Sequence, residues 1–309
     1  MKNKSSLLLW LIIFTSCSGN SGLQLWYDSP AGIWEAALPL GNGRLGMMPD
    51  GNPRQETIVL NEITLWSGSE QDATNPAALE SLPRIRALLL EGKNDLAQEL
   101  MYETFVCGGA GSGHGGGAKV PFGCYQVLGN LRLEYHDKSE PRENYRRNLD
   151  LEKAVARTRY KGNEREYFTS LTQDVGVVRL KPGKKSHTVI RLDRPERFAT
   201  TVENDRLVMR GTLSSGVEGQ EGMHYLVKVG VNHSGGHVVF EGDSIVLDGV
   251  RKATLILSAA TSYFHPDPGI HCDTLLERAL SVKYKHLRKD HIRAYQSLFK
   301  RVKIHLGPQ

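Results

Sequence analysis

The chain has 309 residues, 39% of them apolar and 24% charged, with a formal charge of +5. That balance is ordinary for a globular protein and excludes a disordered, collagen-like or multi-span membrane chain. The positive charge is also local, since residues 273–303 carry nine Lys/Arg against three Asp/Glu, and the segment has no row of aromatic residues, so nucleic acid is excluded as the expected partner.

The N-terminus reads as an export signal. Lys2 and Lys4 are followed by the unbroken apolar run 7–14 and then by Thr15-Ser16-Cys17. A basic stretch, a short apolar stretch and small residues in that order are removed on secretion, and the apolar run is too short to span a bilayer. The small residues before Cys17 resemble a bacterial lipoprotein box, which predicts lipidation of Cys17, a signal over residues 1–16 and a tether over 17–24. The product is expected in the periplasm or as an outer-membrane lipoprotein, touching membrane only through that anchor.

Two short runs follow. In Leu38-Pro39-Leu40-Gly41-Asn42-Gly43-Arg44-Leu45-Gly46, the glycines permit positive φ and Asn42 suits a left-handed turn, so the run reads as a strand-connecting turn across which Arg44 reaches. Its spacing fits neither a dinucleotide fingerprint nor a phosphate-binding loop. In Leu60-Asn61-Glu62-Ile63-Thr64-Leu65-Trp66-Ser67-Gly68, apolar and polar residues alternate in part, as at a half-buried strand edge. Trp66 is either a core residue or a platform on which a sugar stacks.

A helical insertion comes next. Asn75 before Pro76 marks a start, Pro83 predicts a restart, Gly92 a stop, and a second short helix covers residues 95–104. Beyond it, Cys107 and Cys124 bracket the glycine-rich run 108–117 and read first as free thiols beside a loop; a disulfide between them, the second reading, would contribute about 3 kcal/mol by restricting the unfolded chain. His114 and His136 are the nearest metal-ligand types, but the spacing matches no compact zinc arrangement, and neither metal nor cofactor is expected.

From residue 125 to 260 the period is that of strands: Leu131/Leu133/Tyr135, Tyr225/Val227/Val229/Val231 and Ile245/Leu247 alternate, while Ala253-Thr254-Leu255-Ile256-Leu257 reads as a strand buried on both faces. Short turns at Gly162-Asn163, Asn204-Asp205 and Gly242-Asp243 suit antiparallel hairpins and exclude parallel crossovers. The implied fold is mainly β, with two packed antiparallel sheets. A C-terminal helix is predicted to open on the capping box Thr274-Leu275-Leu276-Glu277 and to carry Leu276, Leu280, Tyr284, Leu287, His291, Tyr295, Leu298 and Phe299 on one stripe.

The two N-terminal runs, Trp34, Tyr125-Gln126-Val127-Leu128-Gly129 and the stretch from His291 to Gly307 together resemble the N-terminal domain of the family 95 glycoside hydrolases, the inverting α-L-fucosidases. The resemblance covers residues 25–307 and implies a large antiparallel β-super-sandwich over 25–270, and a helical linker over 271–309 that opens the catalytic domain. It implies that the catalytic carboxylates lie in a helical barrel beyond Gln309, so that the chain is cut short, its C-terminal stripe has lost its partner and no catalytic residue lies within it. By the same resemblance Asn42, Arg44, Asn61, Glu62 and Trp66 belong to the substrate rim or to the barrel interface, and the whole enzyme acts on fucosylated glycans.

Read on their own, the residues nominate no chemistry. An inverting glycosidase needs two carboxyl groups about 6.5–9.5 Å apart, and no pair here stands out. Neither a Gly-x-Ser-x-Gly elbow nor a His-Glu-x-x-His helix is present. The alternative to a fucosidase fragment is a stand-alone carbohydrate-binding or scaffolding sandwich.

Overall fold

The structure, a computed structural model, describes residues 22–70, 72, 74–108, 123–136, 144–304 and 306–307. Cys17 and His114 lie outside the described residues, as does the signal segment. The strands are β1 Gln24–Tyr27, β2 Leu40–Gly41, β3 Leu45–Pro49, β4 Gln55–Glu62, β5 Gly129–Tyr135, β6 Arg146–Asp150, β7 Val155–Tyr160, β8 Asn163–Thr169, β9 Gly176–Lys181, β10 His187–Asp193, β11 Ala199–Glu203, β12 Arg206–Ser214, β13 Glu221–Ser234, β14 His237–Glu241, β15 Ser244–Asp248 and β16 Lys252–Thr261. The helices are α1 Ala77–Leu90, α2 Asn94–Thr104, α3 Pro268–Leu280 and α4 Tyr284–Phe299.

The strands form a nine-stranded sheet, β1-β6-β7-β8-β9-β16-β13-β12-β11, and a seven-stranded sheet, β14-β15-β10-β5-β4-β3-β2. The pairings are antiparallel. Hairpin turns set the register. Lys161 and Gly162 (φ 43° and 79°) join β7 to β8, and Asn204 and Asp205 (φ 49° and 55°) join β11 to β12, the left-handed pair that a two-residue turn needs to match strand twist. The first of these turns begins one residue earlier than the sequence suggests.

Alternate residues of the two sheets meet in one core: Leu60, Leu131, Leu133, Ile190 and Ile245 from one side, Tyr167, Val178, Val227 and Leu255 from the other. Strand β16 is buried along nearly its whole length. Leu255 and Leu257 face this core, and Ile256 faces a second cluster with Val155, Phe168, Val177, Leu275, Leu276 and Leu287. That second cluster is where α3 and α4 lie on the outer face of the nine-stranded sheet. The two-sided burial read from residues 253–257 follows from this arrangement.

The C-terminal stripe differs from its prediction in two ways. First, it is two helices. Asp267 caps α3, its Oδ1 accepting from Gly269 N at 2.8 Å and Ile270 N at 3.4 Å, with Pro268 in the first turn. This start precedes Thr274, whose hydroxyl instead donates to the Ile270 carbonyl at 2.9 Å inside the helix. Second, the stripe is not orphaned. Leu276 and Leu287 are 1% exposed, and His291 stacks on Phe168 and donates Nε2 to the Ala154 carbonyl at 3.1 Å. Only its end is free, with Leu298 at 52% exposure.

Pro83 does not divide the insertion either, because α1 runs through it. A proline there removes one intrahelical donor, and the carbonyl left over, that of the exposed Leu79, is open to water. Helices α1 and α2 make their own small core of Ile85, Leu88, Ala97 and Leu100, while Asn75 Nδ2 ties the ends of the insertion together through the Thr104 and Val106 carbonyls at 3.2 and 2.8 Å.

Candidate functional site

One end of the sandwich gathers most of the polar residues that the sequence singles out. The turn between β2 and β3 places Asn42 and Arg44 side by side. Asn42 Oδ1 accepts from Arg44 N at 3.0 Å and Leu45 N at 2.8 Å, closing the turn in which Gly43 has φ +96°. Its Nδ2 then reaches the β8–β9 connection, donating to Asp174 Oδ1 at 2.8 Å and to the Ser170 carbonyl at 3.2 Å.

Arg44 spends its guanidinium on the same connection and on β16. Its Nε donates to Asp174 Oδ2 at 2.6 Å, Nη1 to the Ala259 carbonyl at 2.6 Å, and Nη2 to the Asp174 carbonyl at 3.2 Å, while Nη1 lies 3.4 Å from Glu62 Oε1. Glu62 is 2% exposed. Its second oxygen accepts from the Thr64 amide at 2.7 Å and the Thr64 hydroxyl at 2.6 Å, and that hydroxyl meets Thr261 Oγ1 at 2.5 Å. These bonds cross-link the two sheets at their open end. Both carboxylates, Glu62 and Asp174, are committed to the one arginine. A general acid or base needs a carboxyl free to exchange a proton with substrate, and neither is offered that way here.

Asn61 and Trp66 stand apart from this clamp. Asn61 accepts a 3.3 Å bond from Tyr125 OH, and Trp66 pairs with Tyr125 through an isolated antiparallel bridge, their rings edge to face at 5.8 Å. Trp66 is 49% exposed and so is no core residue. With Ile63, Thr64, Met223 and Tyr263 it lines a depression of about 250 Å³. Close by, His265 and His271 stack at 3.6 Å. Burial, then the neighbouring His265 and the Arg44 charge, holds the His271 imidazole below its ordinary pKa.

The residues that complete the clamp, Asp174, Thr261 and the Ala259 carbonyl, are the ones sequence reading missed. Asp174 and Ala259 lie 130 and 215 positions from Arg44, and Thr261 lies 197 from Thr64, so no local spacing could have announced them. A second buried ion pair belongs to the sandwich interior. Arg165 Nη1 meets Glu56 Oε2 at 2.9 Å, and Glu56 also accepts from Tyr135 and Tyr167 at 3.1 and 2.5 Å. All four side chains point between the sheets, which makes the group structural.

Cys107 and Cys124 both stand as free, exposed thiols. Cys124 Sγ lies 3.1 Å from Gln126 Nε2 and 3.6 Å from Ser67 Oγ. The buried Cys272 thiol is pushed up to about 12 by its burial, so it is no nucleophile.

Residues 25–265 match the family described as glycosyl hydrolase family 65, N-terminal domain. The chain belongs to that family. The span of the match takes in both sheets of the sandwich and the whole Arg44 clamp. Among curated proteins, this glycosyl hydrolase domain is 27% identical to alpha-L-fucosidase 2 of Arabidopsis thaliana over 92% of the chain and 37% of that protein. It is 33% identical to a protein named probable alpha-fucosidase A of Aspergillus niger over 51% of the chain and 20% of that protein. A protein of the same name from Aspergillus oryzae is 24% identical over 93% of the chain and 42% of its own length. The chain therefore spans well under half the length of these relatives.

Proposed function

We propose that this chain is the non-catalytic N-terminal domain of an exported, inverting α-L-fucosidase of glycoside hydrolase family 95, acting on terminal fucose of glycans. The observation that carries the reading is the similarity to Arabidopsis alpha-L-fucosidase 2 along 92% of the chain but only 37% of that protein. The candidate site agrees with it: its two carboxylates are held by Arg44, Asn42 and Thr64, and inversion needs a proton-donating acid and a separate base that activates water. The acid and base are then supplied by the part of the relatives' length that the chain does not match. The domain's task is to present the surface around Asn61 and Trp66 to that part or to the glycan at its rim. Export, with lipidation at Cys17, is part of the same proposal.

The purified chain is expected not to hydrolyse an aryl α-L-fucoside above the buffer rate. Joined to the part of Arabidopsis alpha-L-fucosidase 2 that it does not match, it is expected to release β-L-fucose as the first product, seen by proton NMR. Turnover by the chain alone that survives repurification and disappears in Glu62→Gln would overturn the non-catalytic assignment. Release of α-L-fucose first would overturn inversion.

A further inference from the structure

At the end of the seven-stranded sheet opposite the Arg44 clamp, the strand register builds a row of imidazoles. His187 on β10 and His237 on β14 are both register partners of Asp248 on β15, so the three side chains leave the same face of three adjacent strands. One strand further, β5 continues into His136, whose amide donates to the His187 carbonyl at 3.0 Å and whose ring lies 5.2 Å from that of His187, edge to face. The face is the outer one: the intervening residues Ile190, Ile245 and Leu247 point into the core. Strands in a sheet lie about 4.8 Å apart, so the row His136, His187, Asp248, His237 is a continuous polar ledge.

Two cations close the ledge into a cleft of about 730 Å³. Lys185 comes from the β9–β10 connection and Arg251 from the residues before β16. Neither makes a salt bridge among the described residues. Arg251 is laid against the β13–β14 turn, where a β-carbon on Gly235 would come within 2.7 Å of its Nε. The turn is glycine for a second reason, because Gly236 has φ +62° and a β-carbon there would lie 2.2 Å from the Asp248 carbonyl. Of the charged groups around the row, Asp248 is 3.8 Å from His187 Nδ1, and Glu134, the next outward residue of β5, is engaged by Arg191 at 3.2 Å.

Three imidazoles beside a carboxylate suggest a metal at first sight. The two lysine and arginine cations repel one, and among the described residues no three His, Cys, Asp or Glu side chains converge on a metal-sized point. Lys185 and Arg251 outweigh the Asp248 carboxylate among the charged groups that line the cleft, and an excess of one sign concentrates ligands of the other. We propose that this cleft is a binding site for the sulfate or carboxylate groups of an acidic glycan, with Lys185 and Arg251 as its charges and the imidazole row as its hydrogen-bonding ledge. That the anion is carried on a sugar rests on the glycosidase reading above; that an anion binds here does not.

The test uses the purified chain and three probes on one backbone: sulfated dextran, carboxymethyl dextran and neutral dextran oligosaccharides, measured by titration calorimetry at low salt. The charged probes should bind and the neutral one should not, and the stronger of the two names the group. Lys185→Gln with Arg251→Gln should loosen binding about tenfold, whereas Lys289→Gln with Arg293→Gln, on the basic face of α4, should leave it unchanged. His187→Ala with His237→Ala should also loosen binding of the charged probes, because it strips two of the rings that line the cleft. Equal binding of neutral dextran, or a loss that follows the α4 pair instead of the cleft pair, overturns the site. Duplex DNA bound as tightly as sulfated dextran overturns the glycan. A failed fucosidase assay bears on none of these readouts.

Discussion

Arg44 shows how a residue with a functional look becomes a structural one. Its fork reaches the Asp174 side chain and the Ala259 carbonyl, both at 2.6 Å, and Glu62 beside it is nearly sealed from solvent. Removing one partner of a buried ion pair leaves the other charge uncompensated, a loss of about 3 kcal/mol here because Arg44 itself is partly exposed. Arg44→Ala is thus expected to lower the urea-derived stability by that amount, with Arg44→Lys recovering part of it by keeping the charge without the fork. A loss below about 1 kcal/mol would instead mark Arg44 as a residue kept for the substrate rim.

Asp50 offers the clearest pH signature. It sits after β3, accepting from Asn52 N at 2.8 Å and Thr57 N at 3.1 Å, and burial, followed by the nearby Glu56 charge, raises its carboxyl to about 6. An unfolded aspartate titrates near pH 4. Between about pH 4 and about pH 6 the unfolded state has lost its proton while the folded state still holds it, so stability falls as pH rises through that window, by about 3 kcal/mol. Below about pH 4 both states are protonated, so the contribution is fully present and no longer changes with pH. Comparing urea midpoints of the wild type and Asp50→Asn across the window isolates this contribution. Parallel curves would mean that Asp50 titrates normally.

At the scale of elements, α3 and α4 decide whether the C-terminal segment is a linker or part of the domain. Their apolar residues complete the second core on the outer face of the nine-stranded sheet, and Tyr284 and Arg288 both bond Glu166, which also pairs with Arg157 at 2.6 Å. Leu287→Glu buries a carboxylate in that core and should cost about 3 kcal/mol or more. Leu298→Glu, on the exposed end of the same stripe, should change stability by less than about 0.5 kcal/mol. Thermal melting followed by circular dichroism separates the two. Equal destabilisation by both would show that the far end of α4 is docked as firmly as its middle. The buried His291 adds a pH term of the opposite sign to that of Asp50. Burial lowers its pKa, so the stability it contributes is present above about pH 6.5 and is lost as pH falls below that value.

At the scale of the whole molecule the small α1–α2 core stands apart from the cores on the two faces of the nine-stranded sheet. The α1–α2 hairpin carries its own cluster, and its ends are drawn together by Asn75. Replacing residues 76–105 by a short Gly/Ser linker should therefore leave the sandwich folded, with the melting temperature shifted by less than about 4 °C. Loss of the cooperative β-sheet transition would show that the hairpin buries sandwich surface the fold needs.

The fold was legible in the sequence where the information is local. Strand alternation, the Asn204-Asp205 turn and the doubly apolar run 253–257 each state the environment of their own residues, because side-chain direction along a strand repeats every second position. The helical insertion was legible for the same reason, though not its continuity through Pro83, which depended on whether water could reach one carbonyl. The candidate site was legible only in part. Asn42, Arg44 and Glu62 do meet, but their partners arrive from the opposite sheet, Asp174 from the β8–β9 connection and Ala259 and Thr261 from β16. The imidazole row was not legible at all, since His136, His187 and His237 become neighbours only through the register of four strands. Sequence alone determined the elements, the sandwich class and the family likeness. Tertiary structure decided which polar residues are consumed in holding the sheets together and which are left facing solvent, because hydrogen-bond partners far apart in the chain are assigned only when the two sheets close on their shared core.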